Sequence, residues 1–325
     1  MAARPPPSVL PGAPRIVVIG GGVSGLTCAL LLAEAKLDVT LWSREAPLAT
    51  TSAVAAAIWY PFEAGPADKV AGWAARSYRS FLALERAGTP GVTLVRVRDL
   101  HSPPQTRAPW VSALQGFREL SGAELAGYAE GWESEVPVIE TPLYLPWLRA
   151  RAEAHGVRFE TRTLRSLEET RAYDAVLNAS GLGARELVGD TRCYPIQGQI
   201  VRVPRGTVRE AVYFQGPDAF GYVVPRGEDC VLGGTAVRGA ESLVPDEGTS
   251  TAILERCRAL EPRLASRTLS VAVGLRPGRD EIRVERERLP DGRPLVHDYG
   301  HGGCGVTLSW PCAEDARALL LEALG

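Results

Sequence analysis

The sequence predicts an α/β fold: a dinucleotide-binding domain assembled from separate segments, with an interleaved antiparallel β-rich domain. Three observations carry this expectation. A glycine-rich turn, Gly20–Gly25, sits between an apolar β-branched run and a helical pattern. A second small-residue turn, Ser180-Gly181-Leu182-Gly183, follows another apolar run, Ala175–Ala179, so the same sheet resumes after an insertion. From Tyr194 to Val273 the pattern changes to short strands broken by Gly and Pro.

Length and composition fit this architecture. The 325 residues allow two domains or one large one. Apolar residues make up 45% and charged residues 23%, ordinary globular usage that excludes a disordered chain or a small disulfide scaffold. A net charge of −2 gives no electrostatic footprint for nucleic acid or anionic lipid. Lys36 and Lys69 are the only lysines among 36 basic residues, a bias that codon usage explains. Ile16–Ala33 is an uncharged stretch of 18 residues, the minimum for a membrane span, but Gly20, Gly21 and Gly22 break it into strand, turn and helix. The proline-rich start is unlike a secretory signal, residues 1–13 are expected to form a mobile tail, and the last residues do not resemble a peroxisomal signal. Six cysteines without a CxxC pair suit reduced thiols of a cytoplasmic protein, with one internal disulfide left open. His297 and His301 have zinc-like spacing, yet the glycines around them disfavour the required helix; no metal site is expected.

The elements follow in order. Arg15–Ile19 (RIVVI) reads as a fully buried strand, Val23–Ala35 as a helix with Leu26, Leu30 and Ala33 at helical spacing, and Asp38–Trp42 as a second strand. Together they form a βαβ unit, hence a parallel pair. Residues 50–61 resist assignment. Asp68–Arg86 reads as a helix with Val70, Trp73, Ser77 and Phe81 on one side. Val92–Val97 alternates like a strand, and residues 98–137 read as loops with short elements. A helix ends near Ala154 and begins either at Thr141, as a cap ahead of Pro142, or near Pro146. Val157–Leu164 reads as a strand. In the β-rich part, Gly198–Val203, Ala211–Phe214, Tyr222–Val224, Val231–Leu232 and Leu269–Val273 read as strands, interrupted by a helix over 246–260. The chain ends in an amphipathic helix.

Gly20-Gly21-Gly22-Val23-Ser24-Gly25 fits G-x-G-x-x-G in its proper strand–turn–helix setting. Gly20 makes the turn, Gly22 leaves room for a pyrophosphate at the backbone, and Gly25 allows helix and strand to pack closely. Free N–H groups at the helix start favour the anion. The acid that an NAD site places at the end of the second strand is missing at Trp42 and Ser43, and Glu45 lies late. Arg44 suits a 2′-phosphate, so the loop alone leaves FAD and NADP open.

Five segments, in order over residues 15 to 315, resemble the D-amino-acid oxidase family of FAD enzymes. They are the glycine loop; Thr50–Pro61 (TTSAVAAAIWYP); Asn178–Ala184 (NASGLGA); Gly274-Leu275-Arg276-Pro277 continuing through Ile282–Glu287; and Val296–Thr307 (VHDYGHGGCGVT). The resemblance implies a Rossmann-type FAD-binding domain from segments 14–62, 138–193 and 274–325, and a substrate-binding domain from 63–137 and 194–273. It implies cofactor contacts at Gly20, Gly22, Val23, Ser24, Gly25, Arg44, Thr50, Thr51, Ser52, Ala57, Ile58, Ser180, Gly181, Leu182, Gly302, Gly303, Gly305, Val306 and Thr307. Two departures, Asp298 for the family's Asn or His and Pro311 for a Gly, suggest local backbone change. A second active-site tyrosine of some members is Ala236 here, which bears on pocket size.

The chemistry follows from this resemblance. Arg276 is expected to clamp a substrate carboxylate with its planar fork, Tyr222 to add a phenol hydrogen bond, and the Gly303 carbonyl to receive the amino group. The cofactor carries the redox step, and the protein supplies orientation. The expected reaction is oxidative deamination of D-amino acids with FAD and O2, giving 2-oxo acid, ammonia and hydrogen peroxide. Alternatives are a sister oxidase of D-aspartate or glycine, an NADP-dependent dehydrogenase suggested by Arg44, and a flavin-binding protein without turnover. The sequence leaves monomer or homodimer open.

Overall fold

The computed structural model describes residues 12–61, 64–108, 110–217 and 219–325. The expected tail therefore lies outside the described residues, apart from residues 12 and 13. The RIVVI run forms β1 (Arg15–Ile19), with four of its five residues buried. The turn leads into α1 (Val23–Glu34), which is buried on nearly every side, and the chain returns in β2 (Asp38–Ser43). β1 and β2 pair in parallel, with Ile16 beside Val39 and Ile19 beside Trp42. Continuous apolar strands are what a parallel sheet covered on both faces requires.

Residues 50–61, unassigned from sequence, hold the short α2 (Thr51–Val54) and then an extended stretch. Ala57 there adopts φ +52°, a conformation that costs a non-glycine residue about 1–2 kcal/mol. α3 (Ala67–Arg86) buries Val70, Trp73, Ser77 and Phe81 as expected. β3 (Val92–His101) runs longer than its alternation suggests. The expected loops of 98–137 contain β4 (Gln115–Glu119) and most of β5 (Glu130–Ile139). Glu, Gly and Pro disguise β5 as loop. Pro137 is tolerated because it lies beyond the stretch paired with β4, next to a short bridge at Ile58: the Pro137 carbonyl accepts from the Trp59 N–H at 2.8 Å, and the Ile139 N–H donates to the Ala57 carbonyl at 2.9 Å.

α4 (Thr141–Ala154) starts at the earlier of its two candidate positions. Thr141 does not cap it; its hydroxyl donates instead to the Ala53 carbonyl, 3.1 Å, tying the α2 segment to this helix. β6 (Arg158–Thr161), β7 (Ala175–Asn178) and the short α5 (Ala184–Leu187) follow. Next come β8 (Tyr194–Pro204), β9 (Ala211–Gln215), β10 (Phe220–Pro225), β11 (Asp229–Gly233) and β12 (Val237–Arg238). The chain ends with α6 (Glu247–Leu260), β13 (Ser270–Gly278), β14 (Arg283–Arg288), β15 (Pro294–Tyr299) and α7 (Gly305–Leu324).

Among the described residues these strands build two sheets. One is six-stranded, ordered β14-β15-β7-β1-β2-β6; all its neighbours are parallel except the edge pair β14–β15. The other has nine strands, ordered β12-β8-β11-β10-β9-β3-β5-β4 with β13 also on β8. It is antiparallel apart from β3–β9, a parallel pair made possible by the long excursion between those strands. β13 pairs with β8 along its whole length, so it runs through the expected boundary at residue 274. The largest apolar core joins α1, α3, α4 and α7 to one face of each sheet, and α6 covers the opposite face of the larger sheet through Ile253 and Cys257. No described helix is long and apolar enough to cross a membrane, and all six cysteines are free and buried.

Pro311 does not break α7. A proline has no N–H for the carbonyl four residues back, which here is Thr307. The buried Ser77 hydroxyl donates to that carbonyl instead, and Ser77 accepts from the Trp59 indole N–H at 2.9 Å. The expected backbone change at Pro311 is thus offset from α3. Asp190 forms a second tie between distant segments. It accepts from the Tyr299 hydroxyl at 2.8 Å and from Arg279 at 3.1 Å. Burial pushes its carboxyl up, but Tyr299, the Arg192 N–H and Arg279 outweigh that and hold it below the usual aspartate range.

Ser77→Ala leaves two buried groups unpaired and is expected to destabilise the fold by about 1–3 kcal/mol for each. Urea unfolding measures this; a loss within the ~0.5 kcal/mol scatter of surface changes would count against the tie. Asp190 contributes stability above about pH 4, its unfolded value, and that contribution is lost as pH falls through the lower folded value. Asp190→Asn should therefore cost about 3 kcal/mol at pH 7 and clearly less at pH 3. Melting curves at both pH values test it, and equal losses would contradict it.

Candidate active site

The site begins where β1 runs into α1. Gly20 has φ +118°, and a Cβ on it would overlap the Ala179 carbonyl at the end of β7. A Cβ on Gly25 would overlap the Gly20 carbonyl. Both positions must be glycine for helix and strands to close up. Gly22 is different: its nearest neighbour is the Ser52 hydroxyl, 3.1 Å from an added Cβ, so its backbone stays accessible. Gly22 caps α1 without a side-chain hydrogen bond. The Val23 N–H meets the Ser52 hydroxyl at 3.0 Å. The start of this 12-residue helix, at the sheet's carboxyl edge and without a side-chain cap from Gly22, is suited to an anion.

From this point an elongated cavity of about 840 Å³ extends to the larger sheet. Every cofactor-binding residue expected from sequence lines it except Gly25, which packs beneath the turn. At one end are Trp42–Glu45, Arg162 and Arg165, at the carboxyl ends of β2 and β6. The Arg162 guanidinium lies over the Trp42 ring, 4.1 Å from its centroid. Arg44 pairs with the neighbouring Glu45 at 2.8 Å, and both side chains reach solvent. Further along, the Ser180 hydroxyl is buried without a hydrogen-bond partner. The length, the open Gly22 backbone and this orphaned hydroxyl fit a dinucleotide.

The other end follows from strand register. Tyr222 lies opposite Tyr213 on β9 and Gly233 on β11, so the two tyrosines share the sheet face that forms the cavity wall. The Tyr222 ring lies over Gly233, where a Cβ would overlap it. Arg276 on β13 projects over Gly198 of β8, and its guanidinium occupies the space of a Gly198 Cβ. Its Nη1 donates to the Thr235 carbonyl at 2.9 Å, and it meets the Tyr222 phenol. Burial raises the Tyr222 phenol and Arg276 only partly reverses this, so Tyr222 stays a protonated donor. Gly303 lies on the cavity wall with Gly302 and Gly305. Arg276 and Tyr222 thus meet, and Gly303 lines the same cavity, whereas Ala236 is exposed and does not line it.

The histidines separate. Burial and Arg283 hold His297 below its usual range; it contacts Glu287 at 3.1 Å and Asn178 at 3.3 Å. His301 lies 3.2 Å from Asp298. Asp298 also accepts from the Cys28 thiol at 3.1 Å, so the family departure at 298 acts through side chains as well. Ligand atoms of Asp298, His301 and Cys312 lie within 4.8 Å of one another. Burial pushes the Cys312 thiol well up, however, and a protonated thiol is a poor metal ligand.

Sequence reasoning missed Arg162, Arg165, Tyr60, Tyr213 and Phe220, all on the wall. The first two are brought there by β2–β6 pairing, which no local pattern announces. Tyr213 sits in a recognised strand, but only register with Tyr222 shows which way it faces. No cysteine lines the cavity among the described residues. The arrangement is an anion cradle at one end and a carboxylate clamp at the other, with the chemistry left to a bound group.

Comparison with known proteins agrees. The chain matches the FAD dependent oxidoreductase family over residues 15–319. It is 47% identical to a D-amino-acid oxidase of Rubrobacter xylanophilus, covering 95% of this chain and 97% of that protein. A D-amino-acid oxidase of Streptomyces coelicolor is 43% identical, with 94% and 96% covered. The fold resembles glycine oxidase from Geobacillus kaustophilus, with a TM-score of 0.79 at 19% identity and 95% of each chain covered.

Gly198→Ala is expected to displace the mobile end of Arg276 without unfolding the sheet. Affinity of the cavity for a small monocarboxylate should fall at least about tenfold, or ~1.4 kcal/mol. Calorimetric titration with benzoate checks this; unchanged affinity at unchanged melting temperature would mean that Arg276 does not hold the carboxylate.

Proposed function

The chain belongs to the FAD dependent oxidoreductase family, and from that premise we propose that it oxidatively deaminates D-amino acids to 2-oxo acids, ammonia and hydrogen peroxide. The observation that carries this reading is the Arg276–Tyr222 pair at the end of the cavity opposite the glycine cradle. A guanidinium fork and a phenol donor on one sheet face suit an α-carboxylate. FAD, when bound, accepts hydride from Cα and passes the electrons to dioxygen. Gly20, Gly22 and the start of α1 would hold its pyrophosphate, with Ser180–Leu182 and Gly302–Thr307 alongside. Holding the carboxylate at Arg276 and the amino group at the Gly303 carbonyl fixes which substituent of Cα faces the cofactor, and so which enantiomer reacts.

The wall also supports a neutral side chain. Among the described residues, the arginines lining the cavity are Arg44, Arg162, Arg165 and Arg276. The first three follow β2 and β6, away from the clamp. Tyr60, Tyr213, Phe220 and Ile200 line the clamp end, and among the described residues a second carboxylate placed there meets no second arginine. This favours D-alanine-like substrates over D-aspartate. The FAD-dependent family sets aside the NADP reading. Six buried, unpaired thiols support a reducing, cytoplasmic compartment.

The purified protein is expected to be yellow, and D-alanine should bleach it in the absence of oxygen. In air, peroxide release should favour D-alanine over D-aspartate by at least about a hundredfold, the ~3 kcal/mol effect of a buried unpaired charge. Bleaching by glycine or D-aspartate but not D-alanine would move the chain to a sister activity. Yellow protein that no amino acid bleaches would overturn catalysis altogether.

A further inference from the structure

Asp99 and His101 stand two residues apart on β3 and so point to the same sheet face. They are 3% and 1% exposed, and acids are almost never so buried without a partner. Register places Asp99 between Trp132 on β5 and Tyr213 on β9. His101 Nε2 lies 2.8 Å from Asp99 Oδ1, and its ring stacks on Trp132 at 4.7 Å. From the other side the Tyr60 phenol comes to the Asp99 carboxylate. The Tyr60 ring is stacked on Tyr213 at 5.0 Å and held edge-on by Trp110 at 5.8 Å. Tyr60 lines the cavity, whereas neither Asp99 nor His101 does. Behind the ring, a void of about 10 Å³ is bounded by Asp99, Trp110, Ser134 and Tyr213.

We propose that Asp99, with His101 packed against it, is a positioning residue that locks the Tyr60 ring in place and so sets how large a substrate side chain the chamber accepts. This rests on the D-amino-acid oxidase reading. The carboxylate gives the phenol a charge-assisted partner, stronger than a neutral one. His101 lies against the carboxylate at ion-pair distance, and Trp132 stacks on His101. Without that anchor the Tyr60 ring is held by ring contacts alone, its backbone staying on Thr307, and the ring can turn away from the chamber, which deepens. The locked ring selects small aliphatic side chains and turns away indole-sized ones.

The test uses the FAD-loaded enzyme with Tyr60→Phe, Asp99→Leu and the double variant. The kcat/KM ratio of D-tryptophan to D-alanine should rise about tenfold in each single variant, the scale on which apolar pockets discriminate by size. It should rise no further in the double variant, because the two residues act as one unit. His101→Phe, which keeps the stacking on Trp132 but loses the contact with Asp99, should move the ratio the same way. Dissociation constants of benzoate and 2-naphthoate, read from flavin absorbance without turnover, should shift in favour of the larger acid. Unchanged ratios, or single effects that add, overturn the proposal. If Asp99→Leu fails to fold, Tyr60→Phe alone decides. Wild-type enzyme that does not turn over D-alanine refutes the oxidase reading instead.

Discussion

Two backbone carbonyls occupy the space that side chains would need, and the molecule is organised around that fact. The Ala179 carbonyl fills the position of a Gly20 Cβ, and the Gly20 carbonyl fills that of a Gly25 Cβ. This contact brings β7, β1 and the first turn of α1 together at one edge of the sheet. The helix start then opens directly on the cavity, with its N–H groups directed at whatever lies there. A single added carbon would push the helix off the strands. The cofactor-facing wall exists because three backbones approach more closely than side chains permit.

The far wall is held by a different device. Thr307 sits at the start of α7, and its hydroxyl bridges the backbone N–H and carbonyl of Tyr60 at 3.2 Å each. Its own carbonyl, left free by Pro311, is taken by Ser77, which also holds Trp59. The segment after α2, a face of α3 and the first turn of α7 are thereby fixed to one another. This ties the Gly302–Thr307 wall directly to the Tyr60–Tyr213 wall.

Much of the cofactor half was legible in the sequence because its signals are local. The RIVVI run, the spaced glycines and the AVLNA run each declare their structure within a few residues. The larger sheet was less so. β5 carries Glu, Gly and Pro, and its alternation emerges only when β3 and the residues around Ile58 are seen on either side of it. Arg276 and Tyr222 were legible through resemblance, since nothing in their spacing joins two strands some fifty residues apart. Tyr60 stood within a stretch read through resemblance but without a role of its own, and Arg162 and Tyr213 were not legible, because their places come from pairings between distant segments. Pro311 misled for a related reason: the group that offsets it lies on another helix.

The interleaving of the two sheets has a consequence for how the chain folds. β1 receives β2 early, but its other neighbour, β7, lies about 160 residues later in the chain, and β15 completes the same edge more than a hundred residues after that. The intervening stretches belong mostly to the other sheet. A chain leaving the ribosome therefore exposes an apolar strand long before it can be covered, and contacts so distant in sequence form slowly. No contiguous half of the molecule owns a whole sheet. Folding must be completed by the last strands and α7 to be synthesised, and the nascent chain is most prone to aggregation until then.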